Sequence, residues 1–332
     1  YKLKLHHPSE ENIENYKKFC QTLNKLKRLT KSKYFTTLLE NNKNNSKKTW
    51  SILSNIINKH NDKSNLPKKF LINEKHESDK NIIANGFNKF FTNIGKNLGD
   101  KIPDKGKDFK SYLNTNHPNT FFMTPTDPVD IIQTAGKLKS KTSTGIDDIS
   151  TKIMKEIIYE VSQPLTHIFN LSFETGIIPN QLKIGKIIPV YKSGDHMLFN
   201  NYRPISLLPA FSKLMEKLVC IRLMKFLIKH DLLYKYQFGF RPNHSTIHPI
   251  IHLLNDIACE NDKPAKHNTL AVFLDLSKAF DTISHDKLLF KLNKYGIRGK
   301  SNEWFQNYLQ NRKQYSEING TKSDLLDITC GV

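Results

Sequence analysis

Residues 269–281, TLAVFLDLSKAFD, decide how the chain is read. Residues 270–275 form an apolar run that ends on a carboxylate, Asp275, and a second aspartate, Asp281, follows six positions later, directly after Phe280. A short apolar run of this kind has the pattern of a buried strand. An aspartate at the end of such a strand is delivered from a rigid, dry platform, which suits a divalent cation. Mg²⁺ takes oxygen ligands, usually one or two carboxylates together with substrate phosphates. Phosphoryl transfer with two metals needs at least two carboxylates converging on one point. Taken alone, Asp275 is equally well explained as a turn residue. Asp281 is expected to be a turn residue or the cap of the helix that follows.

Charge narrows the choice of partner. The 332 residues hold 51 Lys and Arg against 31 Asp and Glu, a net charge of +20. An excess of that size predicts a polyanion, most often nucleic acid, because phosphates are met by such groups. Sixteen of the basic residues and only five acids fall in residues 1–70, so +11 of the +20 is concentrated there. A length of 332 fits one large domain or two ordinary ones. The four cysteines, Cys20, Cys220, Cys259 and Cys330, form no CxxC pair. They argue against a disulfide scaffold or a zinc ribbon and fit a reducing compartment. No apolar run approaches the ~20 residues that span a bilayer, and no signal peptide is expected. The chain opens on Tyr1 and closes on DITCGV, so it is expected to be a fragment.

Apolar residues recur at helical spacing through Ile13, Tyr16, Cys20, Leu23 and Leu26, then through Trp50, Leu53, Ile56 and Ile57, on either side of the polar ENNKNNSKK at 40–48. These are expected to be basic amphipathic helices, serving either as packed helices with solvated lysines or as nucleic-acid contacts. Ile83, Phe87, Phe90, Phe91 and Ile94 predict a third helix, and 99–120 a linker. In TDPVDIIQTAGKL, Asp127 is placed to cap a helix whose first residue is Pro128. SKTSTGIDDIS at 140–150 predicts a loop, followed by a helix through Ile158 and another from about Pro164 to Gly176. KIIPVYKSGD at 186–195 predicts a strand and a turn, and NYRPISLLP an extended segment before a long helix. QFGFRPNHST at 237–246 predicts a turn entering a helix, and Asn319-Gly320 a hairpin.

The stretch FLDLSKAFDTISHDKLLFKL resembles the first catalytic motif of reverse transcriptases from LINE-type, non-LTR retrotransposons of the jockey kind. STGIDDIS, IPVYKSGD, NYRPISLLPAFSKLMEKLV, QFGFRPNHST and YLQNRKQY resemble further motifs of that family, in its order and at its spacing. The resemblance covers roughly residues 120–332. Residues 1–119 resemble the basic helical linker that joins endonuclease to polymerase in these elements.

The resemblance implies an α+β fold: the fingers and the N-terminal part of the palm of a right-hand polymerase at 120–332, preceded by a basic helical extension. It implies RNA-directed DNA synthesis by two-metal nucleotidyl transfer with Mg²⁺, an RNA template, a DNA primer or target, dNTPs and no membrane partner. Asp275 matches the first metal-binding aspartate, and the carbonyl of Leu276 would add a ligand. Phe280 matches the steric gate that leaves no room for a ribose 2′-hydroxyl. Arg203 and Lys213 are candidates to grip the triphosphate, with Arg241 in the same pocket or on the template. Lys192 and Asp147 match template-contacting loops. The family's next motif, GVPQGS, and its paired aspartates lie beyond the matched stretch, so the chain alone is expected to be inactive and to leave an apolar sheet edge open. The complete element is expected in nucleus and cytoplasm.

Two alternatives remain: a non-catalytic nucleic-acid-binding remnant, and a group II intron-like reverse transcriptase, against which DLSKAFD argues. His244, His248 and His252 recur every four residues, a ligand-like spacing, but HSTIH lacks the glutamate of HExxH and Pro249 interrupts the turn.

Overall fold

The computed structural model describes residues 9–56, 66–67, 69–72, 74–102, 106, 108–113, 115–263 and 269–331. It divides into two units, Tyr1–Leu66 and Pro67–Val332. The first contains helices α1 (Glu10–Glu40) and α2 (Ser46–Ile56). Ser9 caps α1 by accepting from the Asn12 amide, and the polar stretch at 41–45 turns the chain between the helices. No α1 side chain is buried, so its apolar stripe through Phe19, Leu23 and Leu26 faces outward in this unit. Ile57, expected in the second helix, lies outside the described residues.

The second unit is built on a five-stranded mixed sheet. A small hairpin, β1 (Phe70–Ile72) and β2 (Lys75–Glu77), leads into α3 (Lys80–Gly99). Then come α4 (Pro128–Lys137), α5 (Thr151–Glu156), α6 (Ile158–Thr175), β3 (Ile184–Tyr191), β4 (Tyr202–Leu207) and α7 (Ala210–Lys229). The chain continues through α8 (Ile247–Asn261), α9 (His285–Lys294), α10 (Gly299–Leu309), β5 (Lys313–Ile318), β6 (Thr321–Lys322) and β7 (Leu326–Asp327). The sheet order is β4-β3-β5-β6, with β7 also on β5. β3 runs antiparallel to β4 and parallel to β5. Pro204 sits on the edge strand β4, and its partner Pro189 lies beyond Ile187, where the pairing of β3 with β5 ends. Neither proline therefore interrupts a ladder that needs its missing N–H.

Helix α3 covers one face of this sheet. Phe87 packs against Phe70, Phe199 and Tyr202, and the Asn88 amide donates to the backbone carbonyls of Gln314 and Asp324 while accepting from the Gln314 side chain. The main core lies among α4, α6, α7 and α10: Ile131, Phe169, Leu214, Leu218 and Trp304 are all essentially inaccessible. Asp127 caps α4 with Pro128 at its start, as the sequence requires. Asn319 and Gly320, both at positive φ, turn β5 into β6. Among the described residues no helix is long and apolar enough to cross a membrane.

Two local expectations are corrected, and the structure decides between the two roles expected for Asp281. Helix α6 begins at Ile158, and Pro164 lies inside it. Burial of Ile158, Leu165 and Phe169 on one face outweighs the break that proline favours. Residues 269–276 form no strand, and Leu270, Phe273 and Leu274 are each more than 80% exposed. A strand needs a neighbour for its N–H and C=O groups, and the sheet's strands pair with one another, giving this segment none among the described residues. Asp281 is a turn residue, donating its amide to the Lys278 carbonyl, but the cap of α9 is Ser284, which accepts from the Lys287 amide. Position explains the difference: Ser284 immediately precedes the first helical turn, whereas Asp281 is three residues further back.

Candidate functional site

Five of the expected site residues, Asp147, Lys213, Arg241, Phe280 and Lys192, fall into three groups, and Arg203, Asp275 and Leu276 lie outside them. In the first, the loop at 140–150 docks on the junction between β4 and α7. Gly145 makes this possible, because a Cβ there would lie 2.6 Å from the Pro209 nitrogen and 2.8 Å from the Leu208 carbonyl carbon. The docking carries Asp147 toward Lys213, in the first turn of α7. Lys213 is half-buried, and its ammonium is pulled below the usual lysine range by burial and by Lys141, against the opposing pull of Glu216 and Asp147. The same carboxylate reaches toward β5. The Tyr315 phenol is pushed up to about 12 by burial, with Glu317, Asp148 and Asp147 adding to the effect.

Behind Lys213 is a network that the sequence did not single out. The Tyr308 hydroxyl donates to Glu216 Oε1 at 2.6 Å, its ring stacks on Trp304, and the Arg312 guanidinium lies 4.6 Å from the ring centroid. Burial raises the Glu216 carboxyl above its ordinary range, against the hydrogen bond from Tyr308 and the charges of Arg312 and Lys213. These contacts tie α7 to α10 and β5, so the helix that holds Lys213 is fixed from behind. A signal was available: Glu216 is an acid flanked by the core residues Leu214, Met215, Leu218 and Val219.

The second group sits where the turn at 237–246 meets the turn at 277–282. Phe240, at φ 61° and 88% exposed, meets Phe280, 57% exposed, edge to face with centroids 5.8 Å apart. Arg241 anchors its turn by donating from Nη1 to the Tyr234 carbonyl at 3.3 Å. His244 precedes α8 and is not on it. Phe238 packs against His244, His248 and His252, so these side chains form an aromatic cluster.

The third group lies beside α3. Lys192 closes the turn after β3 by donating its amide to the Asn201 carbonyl at 2.8 Å. Lys278 is half-buried over the Phe90 ring, its ammonium held down by burial and by Lys192, against the pull of Asp281. Burial in turn raises the Asp281 carboxyl, opposed by Lys278. A Cβ at Gly95 would lie 2.2 Å from the Asp281 carbonyl oxygen, so α3 and this turn are in direct backbone contact.

Arg203 is exposed on edge strand β4, opposite Val190, on the sheet face it shares with Lys186 and Ile205. Asp275 and Leu276 lie in the exposed segment 269–276, and Asp275 makes no hydrogen bond or ion pair among the described residues. No three Asp, Glu, His or Cys side chains converge among the described residues. A Mg²⁺ site needs several convergent oxygens, so among the described residues the ligand set is not assembled around Asp275.

Comparison with known proteins defines the class. Residues 190–331, from the end of β3 onward, match the family model "Reverse transcriptase (RNA-dependent DNA polymerase)". The chain is 28% identical over 247 residues to "Probable RNA-directed DNA polymerase from transposon BS" of Drosophila melanogaster, covering 72% of this chain and 26% of that protein. It is 30% identical over 200 residues to "RNA-directed DNA polymerase from mobile element jockey" of the same species, covering 59% and 21%. To "Probable RNA-directed DNA polymerase from transposon X-element" it is 27% identical over 211 residues, covering 63% and 23%. More particularly, then, the chain is similar to RNA-directed DNA polymerases of LINE-type, non-LTR mobile elements. It spans about a quarter of the length of these curated relatives.

Proposed function

We propose that residues 120–332 are the fingers and the first part of the palm of a polymerase that copies RNA into DNA. Residues 1–119 would be the basic helical linker before it. The observation that carries this reading is the contact of Phe240 with Phe280, which joins the GFR turn to the candidate gate. In this arrangement Phe280 lies against the sugar of an incoming dNTP, and the Leu276 carbonyl and Asp275 face the metal side. Arg203 and Lys213 neutralise the triphosphate, since a fork donor and a point charge suit developing phosphate charge. Arg241 supports the same pocket or the template, and Lys192 and Asp147 stand on the template side. Mg²⁺ would be held by Asp275 together with carboxylates that are not brought to it here.

A second reading, a nucleic-acid-binding remnant without catalysis, is favoured by the exposure of Asp275 and by the net charge of +20. Photolabelling with an azido-dATP, followed by peptide mapping, tests the first. Label is expected in peptides carrying Arg203–Lys213 and Phe240–Arg241 or Phe280. Label confined to other peptides overturns the assignment.

A further inference from the structure

The end of α7 remote from Lys213 carries a second basic surface. Sixteen residues separate Lys213 from Lys229, about 24 Å along the helix at ~1.5 Å per residue. There the segment at 119–126 crosses α7, and Phe122 projects from it with 72% of its surface exposed. Two adjoining clefts meet at Thr120 and Phe122. One, of 500 Å³, is lined by Lys225, Lys229 and His230. The other, of 440 Å³, is lined by Arg298 and Lys300. Among the described residues no carboxylate lines either cleft. The Arg222 guanidinium is committed to Asp130 and to the carbonyls of Thr124 and Pro125, and Lys300 to Glu303. Lys225 and Lys229 are exposed and make no ion pair among the described residues.

The wall behind them is aromatic. Phe226 packs on Phe121 and His230, and the His230 and His117 rings are 5.2 Å apart. Arg298 pins the crossing segment from the other side by donating to the His117 carbonyl and to Thr120 Oγ1. An exposed ring held between cation-lined clefts offers a face to an unstacked base and charge to the phosphates beside it. A duplex, whose base faces are already stacked, cannot use the ring.

We propose that this groove binds single-stranded nucleic acid, one base stacking on Phe122 and the adjoining phosphates held by Lys225 and Lys229. The site is separate from the candidate nucleotide pocket and does not depend on the function assigned to it.

The test is fluorescence anisotropy of the full 332-residue chain with labelled 20-nucleotide single-stranded RNA and DNA across a salt series. Phe122→Ala is expected to weaken binding about tenfold, the scale of a lost base stack. Lys225→Gln with Lys229→Gln is expected to reduce the slope of log K against log salt by about 1.4, as for two single-strand phosphate contacts. A control pair, Lys89→Gln with Lys96→Gln on the exposed side of α3, removes the same charge elsewhere. Equal losses from control and test pairs would mean diffuse charge and overturn the site. So would an unlabelled duplex that competes as well as the single strand, or inorganic phosphate that competes at the same concentration. Whichever of RNA and DNA binds more tightly identifies the natural strand. Because Phe122 is exposed, thermal melting should show its variant folded, and an unchanged affinity in that variant also ends the proposal.

Discussion

Phe240 and Phe280, forty positions apart in the chain, meet edge to face with ring centroids 5.8 Å apart. Each is largely exposed, so the contact is not a product of core packing. An edge-to-face aromatic pair contributes about 0.5–1.5 kcal/mol beyond area burial. Phe240→Ala is therefore expected to weaken dNTP binding by about two- to tenfold, and Phe280→Val to erase any preference for dNTP over NTP. Equilibrium dialysis of both nucleotide types against the two variants checks this. Discrimination that survives Phe280→Val would remove Phe280 from the gate.

Gly145 allows the loop that carries Asp147 to lie on the Leu208–Pro209 backbone. Gly145→Ala inserts a methyl group where the nearest atoms belong to rigid backbone, and such overpacking costs about 1–3 kcal/mol. A fall in the urea midpoint at unchanged m-value is expected. A variant as stable as the parent would show that the loop is not fixed there.

Glu216 and Tyr308 set a pH dependence. The Glu216 carboxyl is raised by burial, so the folded state favours its neutral form. The corresponding stability is fully present below the unfolded glutamate pKa of about 4.3 and is lost as pH rises through the elevated folded value. Glu216→Gln keeps an acceptor for the Tyr308 hydroxyl, so it should melt higher than the parent at neutral pH, with the gap closing toward pH ~4. Tyr308→Phe should cost about 1–3 kcal/mol, as for a buried acceptor left without its donor. Melting curves from pH 4 to 8 measure both, and a gap that widens on acidification contradicts the assignment.

Asp275 is an exposed carboxylate, and among the described residues no partner ligand is brought to it. The 332-residue chain, supplied with Mg²⁺, dNTPs and a primed RNA template, is expected to give no extension product on a sequencing gel. Template-dependent extension that disappears in Asp275→Asn would show that the ligand set assembles in solution.

Local rules carried much of the fold. Asp127 with Pro128 marked the start of α4, Asn319-Gly320 marked the turn between β5 and β6, and apolar spacing marked α3 and α7. These signals are legible because caps, hairpin turns and amphipathic faces depend on neighbours within a few residues. The candidate site was legible only as motifs. Their order pointed to Asp147, Arg203, Lys213, Arg241 and Phe280, but nothing in the sequence joined Phe240 to Phe280 or Asp147 to Lys213. The Glu216–Tyr308–Arg312 network and the groove around Phe122 were missed altogether, because each unites residues about 90 or more positions apart.

Residues 269–281 show the division most clearly. The sequence by itself determined the chemistry: an apolar run, a carboxylate at its end and an aromatic five residues further on. It also carried the resemblance to reverse transcriptases, since motif order is a property of the chain. Only the tertiary structure decided whether that run becomes a strand. Apolar periodicity records a preference for burial, whereas a strand exists only where a neighbouring backbone accepts its hydrogen bonds. Here β3 pairs with β4 and β5, and residues 269–276 are left exposed.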